Sequence, residues 1–223
     1  MSIAEKIVSI TENVPKVYEA GYEKGKSEGG SGGNTPDPLY YAKSIAFNGV
    51  VFPDNHQFSI NIPNITSLVS CFFKAVGLNK IILKGNVEGI ACDMNQTFRD
   101  NFTLVEIDLT EFNTKPTNIN YICLGDTKLK KISGVFDMSE CTKVALPFSN
   151  CAALEEVYFA IETIKVSISF ANSPKLTSES VQSIIDGLAT VETEQTLTLH
   201  ETVSSALSEE QFTQILNKNW VVM

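Results

Sequence analysis

The hydrophobic positions of this chain fall into three regimes. In the first 28 residues, Ile3, Ile7, Ile10, Val14 and Val17 recur at spacings of 4, 3, 4 and 3, a heptad seam that predicts a helix. Pro15 lacks the N–H that a helix interior uses, and Asn13 is placed to cap a second helical segment beginning there. Residues 29–38, GGSGGNTPDP, break the pattern and read as a flexible linker by composition. The seam is open to two readings, a helix docked on its own domain or a self-association segment. The linker favours the second by detaching the helix from the rest of the chain.

From residue 39 the pattern repeats. The windows FFKAVGLNKIIL (72–83), FRDNFTLVEIDL (98–109), CLGDTKLKKISG (123–134) and FSNCAALEEVYF (148–159) align, and FANSPKLTSES (from 170) continues the series. Their anchors Leu78, Leu104, Leu129, Leu154 and Leu176 are separated by 26, 25, 25 and 22 residues. Phe72, Phe98, Cys123, Phe148 and Phe170 stand six positions earlier, and Ile81, Ile107, Ile132 and Val157 stand three later. A period in the twenties predicts an α/β repeat, a β-rich leucine-rich-repeat solenoid over 39–176, with the helical segment before it and an α/β cap over 177–223. NKIIL, VEIDL, KKISG and EEVYF alternate as strands do, predicting a parallel ladder. Val144, Leu146 and Phe148 alternate inward in this reading, as do Val166, Ile168 and Phe170. Residues 45–62 read as strands around a Pro53–Asp54–Asn55 turn that close the first end. In the cap, Val181, Ile184, Ile185 and Leu188 share one helical face. QTLTLH (195–200) predicts a strand with Leu197 and Leu199 inward. Ser208 and Gln211 predict a capping box for a helix carrying Phe212, Ile215 and Leu216.

Composition narrows the function. The 223 residues carry a net charge of −9, which argues against nucleic acid as the main partner. No stretch approaches the ~20 apolar residues of a membrane span, and the N-terminus lacks the unbroken apolar run of a secretory signal. The five cysteines, Cys71, Cys92, Cys123, Cys141 and Cys151, include no C-x-x-C pair. They read as reduced, buried side chains rather than metal ligands. Gly29–Gly33 matches G-x-S-x-G, but a nucleophile elbow needs a rigid strand before it. His56 and His200 stand alone as surface histidines. The glutamate pairs 155–156 and 209–210 are adjacent in sequence, which does not make the converging carboxylates of a glycosidase. The expectation is therefore no catalytic residue, no metal and no cofactor.

The candidate contacts are on the strands. Two residues after each anchor stand Lys80, Glu106, Lys131 and Glu156, a row of alternating charge across the ladder. Two further on stand Ile82, Asp108, Ser133 and Tyr158, where an apolar and an aromatic side chain on a rigid sheet suit a protein or surface-glycan partner. These eight are the expected partner-binding residues. Ile3, Ile7, Ile10, Val14 and Val17 are the expected oligomerisation residues of a homo-oligomer. Asn95, Thr97, Arg99, Asn120, Ser167 and Ser169 form an outer polar rim, suited to sugar or simply solvated.

FSNCAALEEVYF (148–159) resembles the BspA-like leucine-rich repeats of bacteria. LTSESVQSIIDGLA (176–189), QTLTLH and the closing KNW (218–220) resemble the ends of leucine-rich-repeat proteins from prophages of gut Firmicutes. ENVPKVYEAGYEKG (12–25) resembles the N-terminal segment of phage tail-associated proteins. The resemblance implies a non-enzymatic structural and adhesive protein of the virion, contacting the bacterial surface or other virion proteins. The alternative is a bacterial cell-surface adhesin binding host protein or glycan.

Overall fold

The structure is a computed structural model that describes residues 44–86 and 88–223. The expected helix and oligomerisation residues Ile3, Ile7, Ile10, Val14 and Val17, and the linker 29–38, lie outside the described residues.

Strands dominate the described residues, and their pairings there are all parallel. β1 (Val51–Asn61), β2 (Val76–Gly85), β4 (Glu106–Phe112) and β6 (Lys131–Ser133) form a four-stranded sheet in the order β1-β2-β4-β6. β3 (Cys92–Asp93) and β5 (Pro116–Asn118) form a two-stranded sheet. β7 (Ile168–Phe170), β8 (Gln195–Leu199) and β9 (Trp220–Val222) form a three-stranded one. Among the described residues the helices are α1 (Ser178–Gly187), α2 (Glu201–Ser204) and α3 (Glu209–Asn217), besides a 3-10 turn at Met138–Glu140.

This arrangement corrects the expected leucine-rich-repeat solenoid. The parallel strands are divided among three small sheets in an α/β fold, and no single ladder runs the length of the described residues. The physical reason is visible at residues 155–159. Lys131 bridges Glu156 and Phe136 bridges Phe159, but only as isolated pairs. On the far side, the N–H groups of Val157 and Phe159 donate to the hydroxyls of Ser180 and Ser183, both at 3.0 Å. Helix α1 thus takes the hydrogen bonds that a further strand would have taken, and the four-stranded sheet stops.

Within that sheet the register obeys the sequence spacing. Ile81 pairs with Ile107 and Ile107 with Ile132. These three, together with Leu78, Leu104, Leu129, Leu154 and Val157, are at most 1% exposed and belong to one apolar core. Aromatic rings extend it. Phe47, Phe72 and Phe98 stack at centroid distances of 5.3 and 5.8 Å, and Phe148 stacks on Phe170 at 5.0 Å. Cys123 interrupts the row between the two groups. All five cysteines are buried and free. Burial pushes the Cys92 thiol up to about 12, so it persists as an inert thiol at neutral pH.

Several local expectations change. Residues 51–61 are one strand rather than two, with an irregular register between Val51 and Gln57 and Asn55 at φ 58°. Leu146 points outward, 54% exposed at φ 46°, because a left-handed residue breaks the alternation on which the inward reading relied. In the C-terminal segment Val181, Ile184, Ile185 and Leu188 are buried, and Thr177 caps α1 by accepting from Ser180. Ser208 and Gln211 make both hydrogen bonds of the capping box. Of the residues expected to anchor α3, Ile215 is buried, whereas Phe212 is 39% and Leu216 62% exposed.

Candidate functional site

The face of the four-stranded sheet turned away from the core carries the candidate site. Strand alternation puts Ile81, Ile107 and Ile132 inward, so their neighbours at 80 and 82, 106 and 108, and 131 and 133 face out. Lys80 pairs with Glu106, and Glu106 with Lys131. The Lys131–Glu156 bridge continues the row, and Gln57 of β1 precedes it. Beside it run Ser59, Ile82, Asp108 and Ser133, with Tyr158 two residues beyond Glu156. All eight residues expected to bind a partner are partly exposed on this face.

Their charges are spent on one another. The Lys80 ammonium lies 2.8 Å from Glu106 and 3.1 Å from Asp108. Lys131 lies 2.7 Å from Glu156, and the Tyr158 hydroxyl donates to Glu156 Oε2 at 3.1 Å. The Glu106 hydrogen bond raises the pKa of Lys80, only partly offset by desolvation. Partial burial works against ionisation of Asp108, but hydrogen bonds from Thr110 and Lys80 outweigh it and hold its carboxyl below the usual range. Lys131 lowers the pKa of Glu156 by direct hydrogen bonding. Burial and the neighbouring Glu156 carboxylate raise that of Tyr158. These ion pairs fix the long side chains in place. They leave a flat, nearly neutral plate on which Ile82 and Tyr158 offer apolar and aromatic contact.

At the C-terminal ends of the strands, two adjoining open grooves of about 570 and 510 Å³ flank β4. Two glycines shape them. Gly85 (φ 95°) ends β2 and Gly134 (φ 94°) comes directly after β6, both in the left-handed region. A Cβ there would lie 2.8 Å from Pro63 N and 2.7 Å from the Leu109 carbonyl. Between β2 and β4 the register slips after Ile82–Asp108, so that Lys84 meets Glu111 in a 2.7 Å ion pair at the groove edge. Thr110 lines both grooves, and Lys115 and Asp137 line the larger one. The repeat alignment does not reveal Lys84, Glu111 or the grooves, because the extra residue in β4 displaces them from the period. The visible signal is the run Lys84–Gly85, a charge followed by a strand-ending glycine.

The polar rim is only partly a surface. Thr97 is fully buried, its hydroxyl donating to the carbonyls of Leu68 and Met94. Arg99 lies over Phe73 and Tyr121 at 5.5 and 5.7 Å. Asn120 accepts from the Ala145 N–H, and Ser167 bonds Gln195. These side chains serve turns and stacking, which leaves little of the row for a sugar. His200 caps α2 by accepting from the Thr202 N–H, and His56 stacks on Phe52. Among the described residues no cluster of three His, Cys, Asp or Glu could hold a metal ion. No described helix is long and apolar enough to cross a membrane.

Comparison with family models, with characterised proteins and with solved structures finds no match in any of the three.

Proposed function

We propose that this chain is a non-enzymatic attachment module of a phage tail, contacting the bacterial surface through the outer face of its four-stranded sheet. The observation that carries the reading is the in-register row of ion pairs at Lys80, Glu106, Lys131 and Glu156. It makes a rigid plate and leaves Ile82 and Tyr158 as the contact groups. A plate whose side chains are already ordered loses little entropy on binding. Mutual neutralisation suits protein or glycan better than a highly charged polymer. The tail setting is supported by the resemblance of residues 12–25 and 176–189 to phage-encoded segments.

The test is binding of the fluorescently labelled full chain to intact Gram-positive gut bacteria. The double variant Ile82→Ser, Tyr158→Ala is expected to weaken binding about tenfold or more, the scale of losing interface anchors. Lys175→Ala, away from the plate, should leave binding unchanged. Equal binding by all three proteins, or binding by none, would overturn the proposal. Retention on a eukaryotic matrix protein but not on bacteria would replace it with the adhesin reading.

A further inference from the structure

Three residues before each anchor leucine stands a buried side chain: Ala75, Asn101, Asp126, Cys151 and Ser173, none more than 1% exposed. Three of the four polar members are hydrogen-bond donors. The Asn101 amide donates to the Phe98 carbonyl, the Cys151 thiol to the Cys123 carbonyl at 3.0 Å, and the Ser173 hydroxyl to the Cys151 carbonyl at 3.5 Å. An ionised aspartate has no proton to give. Asp126 therefore breaks the rule of its own column unless it holds one.

The neighbouring atoms point the same way. Asp126 Oδ1 accepts from the Asn101 N–H at 2.7 Å. Asp126 Oδ2 and Asn101 Oδ1 are both buried without a partner. The Asn101 amide cannot turn over to help, because its NH2 would leave Phe98 and its oxygen would face that carbonyl. Two orphaned oxygens thus sit on successive turns, and a buried acceptor left unpaired is destabilising. A proton on Oδ2 makes that oxygen a donor, and Asn101 Oδ1 is an acceptor that lacks one.

We propose that Asp126 is held as the neutral acid in the folded protein, and that its Oδ2–H donates to Asn101 Oδ1, making a proton-dependent latch between the turns at 98–104 and 123–129. The groups acting on Asp126 agree with this. Burial raises its pKa well above the ordinary carboxyl value, the Asn101 N–H bond opposes the shift, and the Asp100 carboxylate adds to it. The Cys123 and Cys151 thiols face it as well. The nearby Arg99 guanidinium lies 3.4 Å from Asp100. This inference is independent of the proposed function.

The direction of the pH effect is set by which state holds the proton more tightly, and that is the folded one. Stability is therefore greatest below the ordinary carboxyl range, and it falls as pH rises toward the raised native value. Asp126→Asn keeps the shape and supplies a permanent N–H donor. Its melting temperature should match that of the wild type near pH 4 and exceed it increasingly above, by about 3–5 °C for each pH unit until Asp126 ionises. Infrared spectra of the full chain with isotope-labelled aspartate provide a readout that needs no variant: a protonated-carboxyl stretch should persist at pH 7. Absence of that band, with a melting difference constant across pH, would overturn the proposal. It would leave an ionised Asp126 bridged by buried water.

Discussion

Leu104→Ala is expected to destabilise the protein by about 3–5 kcal/mol and to lower its melting temperature by roughly 10 °C. Leu104 is fully buried in one apolar core with Leu78 and Leu129, two residues before Glu106, which pairs with Lys80 on one side and Lys131 on the other. The turns on both sides are pinned. The Thr103 hydroxyl donates to the Leu78 carbonyl at 2.8 Å, and the Leu104 N–H to the Asn101 carbonyl at 3.1 Å. Such a site collapses poorly when truncated, so the loss of apolar burial is compounded by a cavity. Leu216, on α3, is 62% exposed, and its replacement by alanine should shift stability by about 0.5 kcal/mol or less. Thermal or urea denaturation of the two variants provides the comparison. Equal effects would mean that the anchor leucines do not build the core.

Trp220→Ala is expected to cost about 3–5 kcal/mol as well, but at the other end of the sequence. Trp220 is 1% exposed on edge strand β9. Its indole N–H donates to the Ala189 carbonyl at 2.8 Å, so truncation removes the ring and leaves that carbonyl without its donor. Among the described residues β9 has only β8 as a strand neighbour, and hydrogen exchange should accelerate first in β8 and β9. Uniform acceleration across all three sheets would instead mean that the protein opens as one cooperative unit.

The sequence is most legible where one residue type recurs for one physical reason. Ile81, Ile107 and Ile132 must face the core, so their spacing predicts the pairing register and the charge row beside it. The α1 face and the Ser208–Gln211 box are equally plain, because each is a local pattern. The overall architecture is less legible. Repetition of the anchors says nothing about whether the next neighbour at 157 and 159 is a strand or a pair of serine hydroxyls from a helix. Leu146 misleads because a left-handed backbone turns a side chain around without changing the residue pattern. Thr97 and Arg99 read as surface because they are polar, yet a threonine that bonds two carbonyls buries readily. Asp126 escapes notice for a related reason: an aspartate reads as exposed, and only the column of Asn101, Cys151 and Ser173 shows what it replaces.

Both the core and the contact plate depend on a parallel register that seats equivalent residues side by side. Methyl–methyl nuclear Overhauser effects among labelled isoleucines measure this directly, since paired strands lie ~4.8 Å apart. Ile107 should show cross-peaks to both Ile81 and Ile132, and Ile81 and Ile132 should show none to each other. Absence of the two neighbouring cross-peaks would contradict the register, and with it the contact plate.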